Sequence, residues 1–185
     1  LGSGQSTQTA CLAGTYNPNT GSTSPSACGN ADAGYYVPTT GQSTQLAADA
    51  GYYVDSTLGT GQSTQTACLA GTYNPNTGST SSTACGNADA GYYVSLTGQS
   101  SQTACLEGTY QADTGEDGCD DAEAGHYVDL TGQSSQTACL AGTYQPDTGQ
   151  SDCADSDSGY YVSSTGQSTQ TAASAGNYVS TTGQS

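Results

Sequence analysis

No lysine, arginine, methionine, tryptophan or phenylalanine occurs anywhere in the 185 residues of this chain, and isoleucine is missing as well. Without Lys or Arg it cannot neutralise phosphates and release their counterions, which excludes nucleic-acid binding. Attraction to anionic membrane surfaces through basic residues fails for the same reason. Asp and Glu total 16 against the single imidazole of His126, so the formal net charge is −16 at pH 7. Leucine (9) and valine (6) are too few for a conventional close-packed core. No stretch approaches the ~20 apolar residues of a membrane-spanning helix, so insertion of this segment is not expected. What is present in quantity is Gly (26), Tyr (14), Cys (8) and a large share of Ser and Thr. If this chain is ordered, something other than a core orders it.

The order comes from repetition. A Thr-Gly-Gln-Ser marker, or a close variant, divides the chain into ten repeats: 3–19, 20–39, 40–59, 60–76, 77–96, 97–113, 114–130, 131–147, 148–164 and 165–181. Residues 182–185 begin an eleventh, and the array is expected to be part of a longer one. Two positions never vary. One is a glycine: Gly14, Gly34, Gly51, Gly71, Gly91, Gly108, Gly125, Gly142, Gly159 and Gly176. The other is a tyrosine two residues later: Tyr16, Tyr36, Tyr53, Tyr73, Tyr93, Tyr110, Tyr127, Tyr144, Tyr161 and Tyr178. Each repeat therefore needs a permissive backbone followed by a large flat side chain. Residues 4–37 also match 61–94 except at Pro25/Ser82 and Ser26/Thr83, the mark of a duplication.

The eight cysteines fall into four close pairs, Cys11/Cys28, Cys68/Cys85, Cys105/Cys119 and Cys139/Cys153, each joining one repeat to the next. Repeats 40–59 and 165–181 have none and carry Ala48 and Ala173 instead. Cysteines thus come and go in twos, as disulfide partners do. A zinc site would show ligands two to four residues apart, and no Cys-x-x-Cys exists here. Each bridge would close a loop of about 15 residues, worth about 3 kcal/mol by loop entropy. Persistent disulfides imply an oxidising, extracellular compartment.

Locally, Pro146-Asp147-Thr148-Gly149 and the equivalent runs at Pro18 and Pro75 have the chemistry of tight turns. Flanking Thr143-Tyr144 and Tyr160-Tyr161 favour strand, and no segment has a helical period. The expected fold is all-β and of low regularity, an elongated array of short disulfide-stapled hairpins. The alternative is a β-solenoid of 17–20 residues per turn. The cysteine pairs join non-equivalent positions of successive repeats, which favours hairpins. In either case contacts are expected between nearest neighbours, with repeats packing through the invariant Tyr against the backbone of Gly.

The run from Cys139 to Cys153, reading CLAGTYQPDTGQSDC, resembles the cysteine-rich repeats called ephrin-receptor-like. Those are similar in style to the disulfide-closed modules of tumour necrosis factor receptors. Arrays of this kind, including GYYVxxTGQSSQTAC, also look like those of giant surface proteins of planktonic microbes. The resemblance implies a bridge from the Cys before Gly-x-Tyr to the next Cys, and an extracellular structural or adhesive role. The usual Cys-x-x-Cys continuation is absent here, since Ala-Asp-Ser-Asp-Ser follows Cys153.

No enzyme is expected. His126 takes a place held elsewhere by Tyr92 or Tyr160 and has no catalytic companions. No cofactor is expected apart from weak Ca²⁺ binding, for which Asp120, Asp121 and Glu123, and Asp152, Asp155 and Asp157, are the candidates. The first copies offer only Asn30 and Asp32, or Asn87 and Asp89, so solvated acids are the favoured reading. The Ser and Thr content makes O-glycosylation a candidate, and no Asn-x-Ser/Thr sequon occurs. A Thr-x-Thr ice-binding face, as at Thr64 and Thr66, is disfavoured because Leu46 interrupts it. The expected function is an extracellular, cell-surface structural protein that forms a fibre, filament or stalk. Its partners would be other copies of itself and glycans. The alternative is the repeat spacer of an adhesin or receptor-type ectodomain.

Overall fold

The computed structural model describes residues 7–185. Among them the regular elements are two-residue β-strands and three single-turn 3-10 helices, Pro25–Ala27, Ser56–Leu58 and Ser82–Ala84. The strands form nine two-stranded sheets. They are β1 (Thr15–Tyr16) with β2 (Gly29–Asn30), β3 (Tyr35–Tyr36) with β4 (Leu46–Ala47), and β5 (Tyr52–Tyr53) with β6 (Thr66–Ala67). Next come β7 (Thr72–Tyr73) with β8 (Gly86–Asn87), β9 (Tyr92–Tyr93) with β10 (Thr103–Ala104), and β11 (Thr109–Tyr110) with β12 (Asp120–Asp121). The series closes with β13 (His126–Tyr127) and β14 (Thr137–Ala138), β15 (Thr143–Tyr144) and β16 (Ala154–Asp155), and β17 (Tyr160–Tyr161) and β18 (Thr171–Ala172). The fold is an all-β tandem array of disulfide-stapled hairpins.

Every hairpin joins the tyrosine strand of one repeat to the strand before the ninth position of the next, as in Thr143↔Asp155 and Tyr144↔Ala154. The strands are short for a local reason. Gly142 enters β15 with φ +92, and Gln145 leaves it by donating its amide to the carbonyl of Gln167 two repeats on. With both flanking backbones committed, two residues are left to pair.

Two compact units are present. Residues 1–69, 73–86 and 97–101 make up the first, and 70–72, 87–96 and 102–185 the second. Hairpins β1–β2, β3–β4 and β5–β6 lie in the first. Hairpins β9–β10 through β17–β18 lie in the second, and β7–β8 contributes residues to both.

The three longer repeats owe their extra residues to the 3-10 turns. Side chains of Ser24, Asp55 and Ser81 cap these by accepting from the amides of Ser26, Thr57 and Thr83. At Asp55 the hydroxyl and amide of Thr57 donate to the same oxygen at 2.7 and 2.8 Å, holding that carboxyl below the ordinary aspartate range.

The Pro-Asp-Thr-Gly runs do not form the tight three-residue hairpins their chemistry suggests. Residues 145–153 separate β15 from β16. Gly149 does take the left-handed conformation, at φ +70, but its amide donates to Ala122 two repeats back rather than closing the local loop.

Candidate functional site

The feature repeated along the chain is the junction between repeats, and it is built almost wholly from backbone. Around Gly108 it can be followed bond by bond. The Ala122 amide, from the next repeat, donates to the Gly108 carbonyl at 2.8 Å, and the Gly108 amide donates to Val128 at 2.8 Å. Second neighbours are joined as well: Gln111 donates to Gln133 at 3.2 Å and Gly132 donates to Cys105 at 2.8 Å. The same set recurs elsewhere, for example Ser156 to Gly142, Gly142 to Val162, Gln145 to Gln167 and Gly166 to Cys139.

Contact extends one repeat further still. At Gly108, with φ +83, an added Cβ would overlap the carbonyl of Gly149 in the third repeat along. The same approach pairs Gly14 with Gly61, Gly34 with Gly78 and Gly51 with Gly98 in the first compact unit. In the second it pairs Gly71 with Gly115, Gly91 with Gly132, Gly125 with Gly166 and Gly142 with Gly183. Repeats therefore touch first, second and third neighbours, not nearest neighbours alone. The conserved glycine has two reasons to lack a side chain, a positive φ and a carbonyl where Cβ would stand.

The small buried core sits at two columns that sequence invariance did not mark. The fifteenth position supplies Val37, Val54, Val94, Val128 and Val162, each at most 2% exposed. The ninth supplies Ala31, Ala48, Ala88, Ala122 and Ser156, or a buried cysteine. Each valine contributes about 2 kcal/mol of apolar burial. The invariant tyrosines are half-buried and Tyr178 is exposed. The aromatic ring that covers a glycine is their neighbour: an added Cβ at Gly98 would meet the Tyr52 hydroxyl at 2.7 Å. Alternation of the strand turns position 14 partly outward and position 15 inward.

Four disulfides are formed, Cys11–Cys28, Cys68–Cys85, Cys105–Cys119 and Cys139–Cys153, with Cα separations of 5.7, 5.6, 5.9 and 5.8 Å. One sulfur of each bridge belongs to the buried ninth column and its partner lies half-buried, so each staple fixes the loop of a hairpin to the core. No cysteine among the described residues is free.

Three repeats place an amide instead of valine in the fifteenth column. Gln145, 7% exposed, donates Nε2 to the Asp152 carbonyl at 2.9 Å and accepts from the Asp147 amide at 3.1 Å. Gln111 does the same with Gly118 and Asp113, and fully buried Asn74 with Tyr52, Ser79 and Asn76. These residues hold the turn that leads to the second half of each disulfide. Their signal in the sequence is an amide or valine two residues before each Pro-Asn or Pro-Asp turn and nowhere else in the repeat. Replacing Gln145 by Val keeps the volume apolar but leaves a carbonyl and an amide without partners. The expected cost is about 1–3 kcal/mol, read as a lower denaturation midpoint.

The acids suggested for calcium are not brought together. Asp120 and Asp121 are exposed in β12, and Asp155 lies exposed in β16. Asp157 accepts from the Gln170 amide group at 2.6 Å, and Glu123 donates its own amide to Gln136. The Asp152 carbonyl is taken by Gln145. Among the described residues no group of three His, Cys, Asp or Glu side chains is placed to hold a metal ion. His126 stands in β13 with a buried Nδ1 that has no hydrogen-bond partner. Neither a protein-family model nor a curated protein matches the chain. No helix among the described residues is long and apolar enough to cross a membrane. What the junction can do is hold a repeated disulfide-rich chain in register. This suits an oxidising, extracellular setting and a structural or repeat role.

Proposed function

We propose that the chain is an extracellular structural protein whose repeats build a fibre, filament or stalk by self-association, with no catalytic role. The observation that carries this reading is the reach of each junction to first, second and third neighbours through backbone and disulfide. Such a junction places few demands on surface side chains, so it propagates with any number of repeats. The absence of Lys and Arg removes trypsin-type cleavage sites, which suits exposed durable material. The cysteine-rich style resembles ephrin-receptor-like arrays, and the exposed hydroxyls are open to O-linked sugar. A spacer role in an adhesin is the second reading, favoured by the same resemblance. Electron microscopy of the native material separates the two. Filaments that carry this repeat along their length are the expected result; isolated rods ending in a distal globule would sink it.

A further inference from the structure

Seven of the largest apolar side chains are far more exposed than a soluble chain requires. Leu12, Leu69, Leu106 and Leu140 are each 70–72% exposed, and Leu58, Leu96 and Leu130 are 70, 65 and 59% exposed. Their positions are regular. Leu12, Leu69, Leu106 and Leu140 hold the tenth place of repeats 3–19, 60–76, 97–113 and 131–147, and Ser174 holds it in 165–181. The other five repeats put an acid there: Asp32, Asp49, Asp89, Glu123 and Asp157. From residue 40 onward the two kinds alternate strictly.

Second-neighbour bonding turns that alternation into segregation. In the second compact unit Gly132 donates to Cys105 and Gly166 to Cys139, so leucine-type repeats bond to leucine-type repeats. Gly149 donates to Ala122 and Gly115 to Ala88, so acidic repeats bond to acidic ones. The tenth-place acids are also tied down, Asp89 by Gln102 at 2.7 Å and Asp157 by Gln170 at 2.6 Å. Of the 16 acids, only Glu107, Asp113 and Asp147 lie in leucine-type repeats. Leu106 directly follows Cys105, and Leu130 precedes Gly132 by two, so two exposed leucines flank a single inter-repeat bond.

We propose that this leucine-bearing stack, marked in the second compact unit by Leu106, Leu130 and Leu140, is the seam on which a second copy of the chain docks. The proposal rests on the self-association put forward above and names its surface. Charge selects the occupant. The chain has no Lys or Arg to form intermolecular ion pairs, so copies can approach only where acids are sparse and apolar surface is exposed. Association of this kind is opposed by like charge and strengthens as salt screens it.

The test compares the parent chain with its L106S/L130S/L140S variant by sedimentation velocity between low and 0.5 M NaCl, with disulfides intact. Serine is the residue the repeat itself carries at the equivalent exposed positions, Ser174 and Ser164, so the variant should keep the parent's circular dichroism and melting temperature. The expected result is parent self-association that grows with salt and is weakened at least about tenfold in the variant. A folded variant that associates like the parent overturns the seam and leaves self-association standing. A parent that remains monomeric at every salt concentration overturns both. A monomeric parent that binds neutral phosphatidylcholine vesicles gives the surface to a lipid and likewise overturns the seam.

Discussion

Gly108→Ala is expected to destabilise the second compact unit by about 3 kcal/mol or more. Two effects add at this one position. The residue sits at φ +83, where an L side chain costs about 1–2 kcal/mol. Its Cβ would also overlap the Gly149 carbonyl, and relieving that overlap means separating third neighbours whose backbones are fixed by other bonds. Forced repacking of this kind costs about 1–3 kcal/mol further. Two other glycines separate the causes. Gly21 has φ +70 but open space around it, so Gly21→Ala should show only the conformational cost, about 1–2 kcal/mol. Gly118 has neither feature, and Gly118→Ala should be neutral or slightly stabilising through the unfolded chain. Denaturant melts followed by circular dichroism read all three. Equal effects at Gly108 and Gly21 would show that the third-neighbour contact contributes nothing.

Reduction of the disulfides is expected to abolish the folded state of the second compact unit at physiological temperature. Cys105–Cys119 and Cys139–Cys153 each close a loop of about 15 residues, worth about 3 kcal/mol. Two such bridges amount to about 6 kcal/mol, the size of a small domain's entire stability. The buried columns of Val, Ala and Cys are thin, so no large apolar term stands behind the bridges. Digestion with proteinase K, with and without reductant, gives the readout, since trypsin has no site in this chain. Resistance unchanged by reductant would mean that the backbone junctions alone order the repeats. Peptide mapping that found Cys28 bonded to Cys68 would overturn the pairing itself.

Much of the local structure was legible in the residues. The cysteines occur in twos at spacings of 17 or 14, and the bridges follow those pairs. Thr143-Tyr144 and Tyr160-Tyr161 read as strand and are strand. The hairpin loops were misjudged because a Pro-Asp-Thr-Gly run has the same chemistry whether its glycine amide closes a local turn or bonds to another repeat. Gly149 takes the second course. The core was missed for a related reason. Invariance drew attention to Tyr144, which is half-buried, while the buried place beside it accepts Val162, Gln145 or Asn74. A position that tolerates three side chains shows no conservation within the chain, yet each of the three meets the same need, apolar filling or a closed hydrogen-bond set.

The sequence by itself determined the scarcity that governs this protein. With no Lys or Arg, six Val and eight Cys, it had to be ordered by repetition and covalent staples rather than by a large core or ion pairs. It also determined where glycine recurs. Only the tertiary structure decided why. The Gly108 and Gly149 backbones meet across three repeats, and no spacing within one repeat can report a contact whose partner lies two further repeats along. The tertiary structure likewise decided that alternate repeats stack like on like. That stacking turns an evenly scattered set of acids and leucines into two chemically distinct sides.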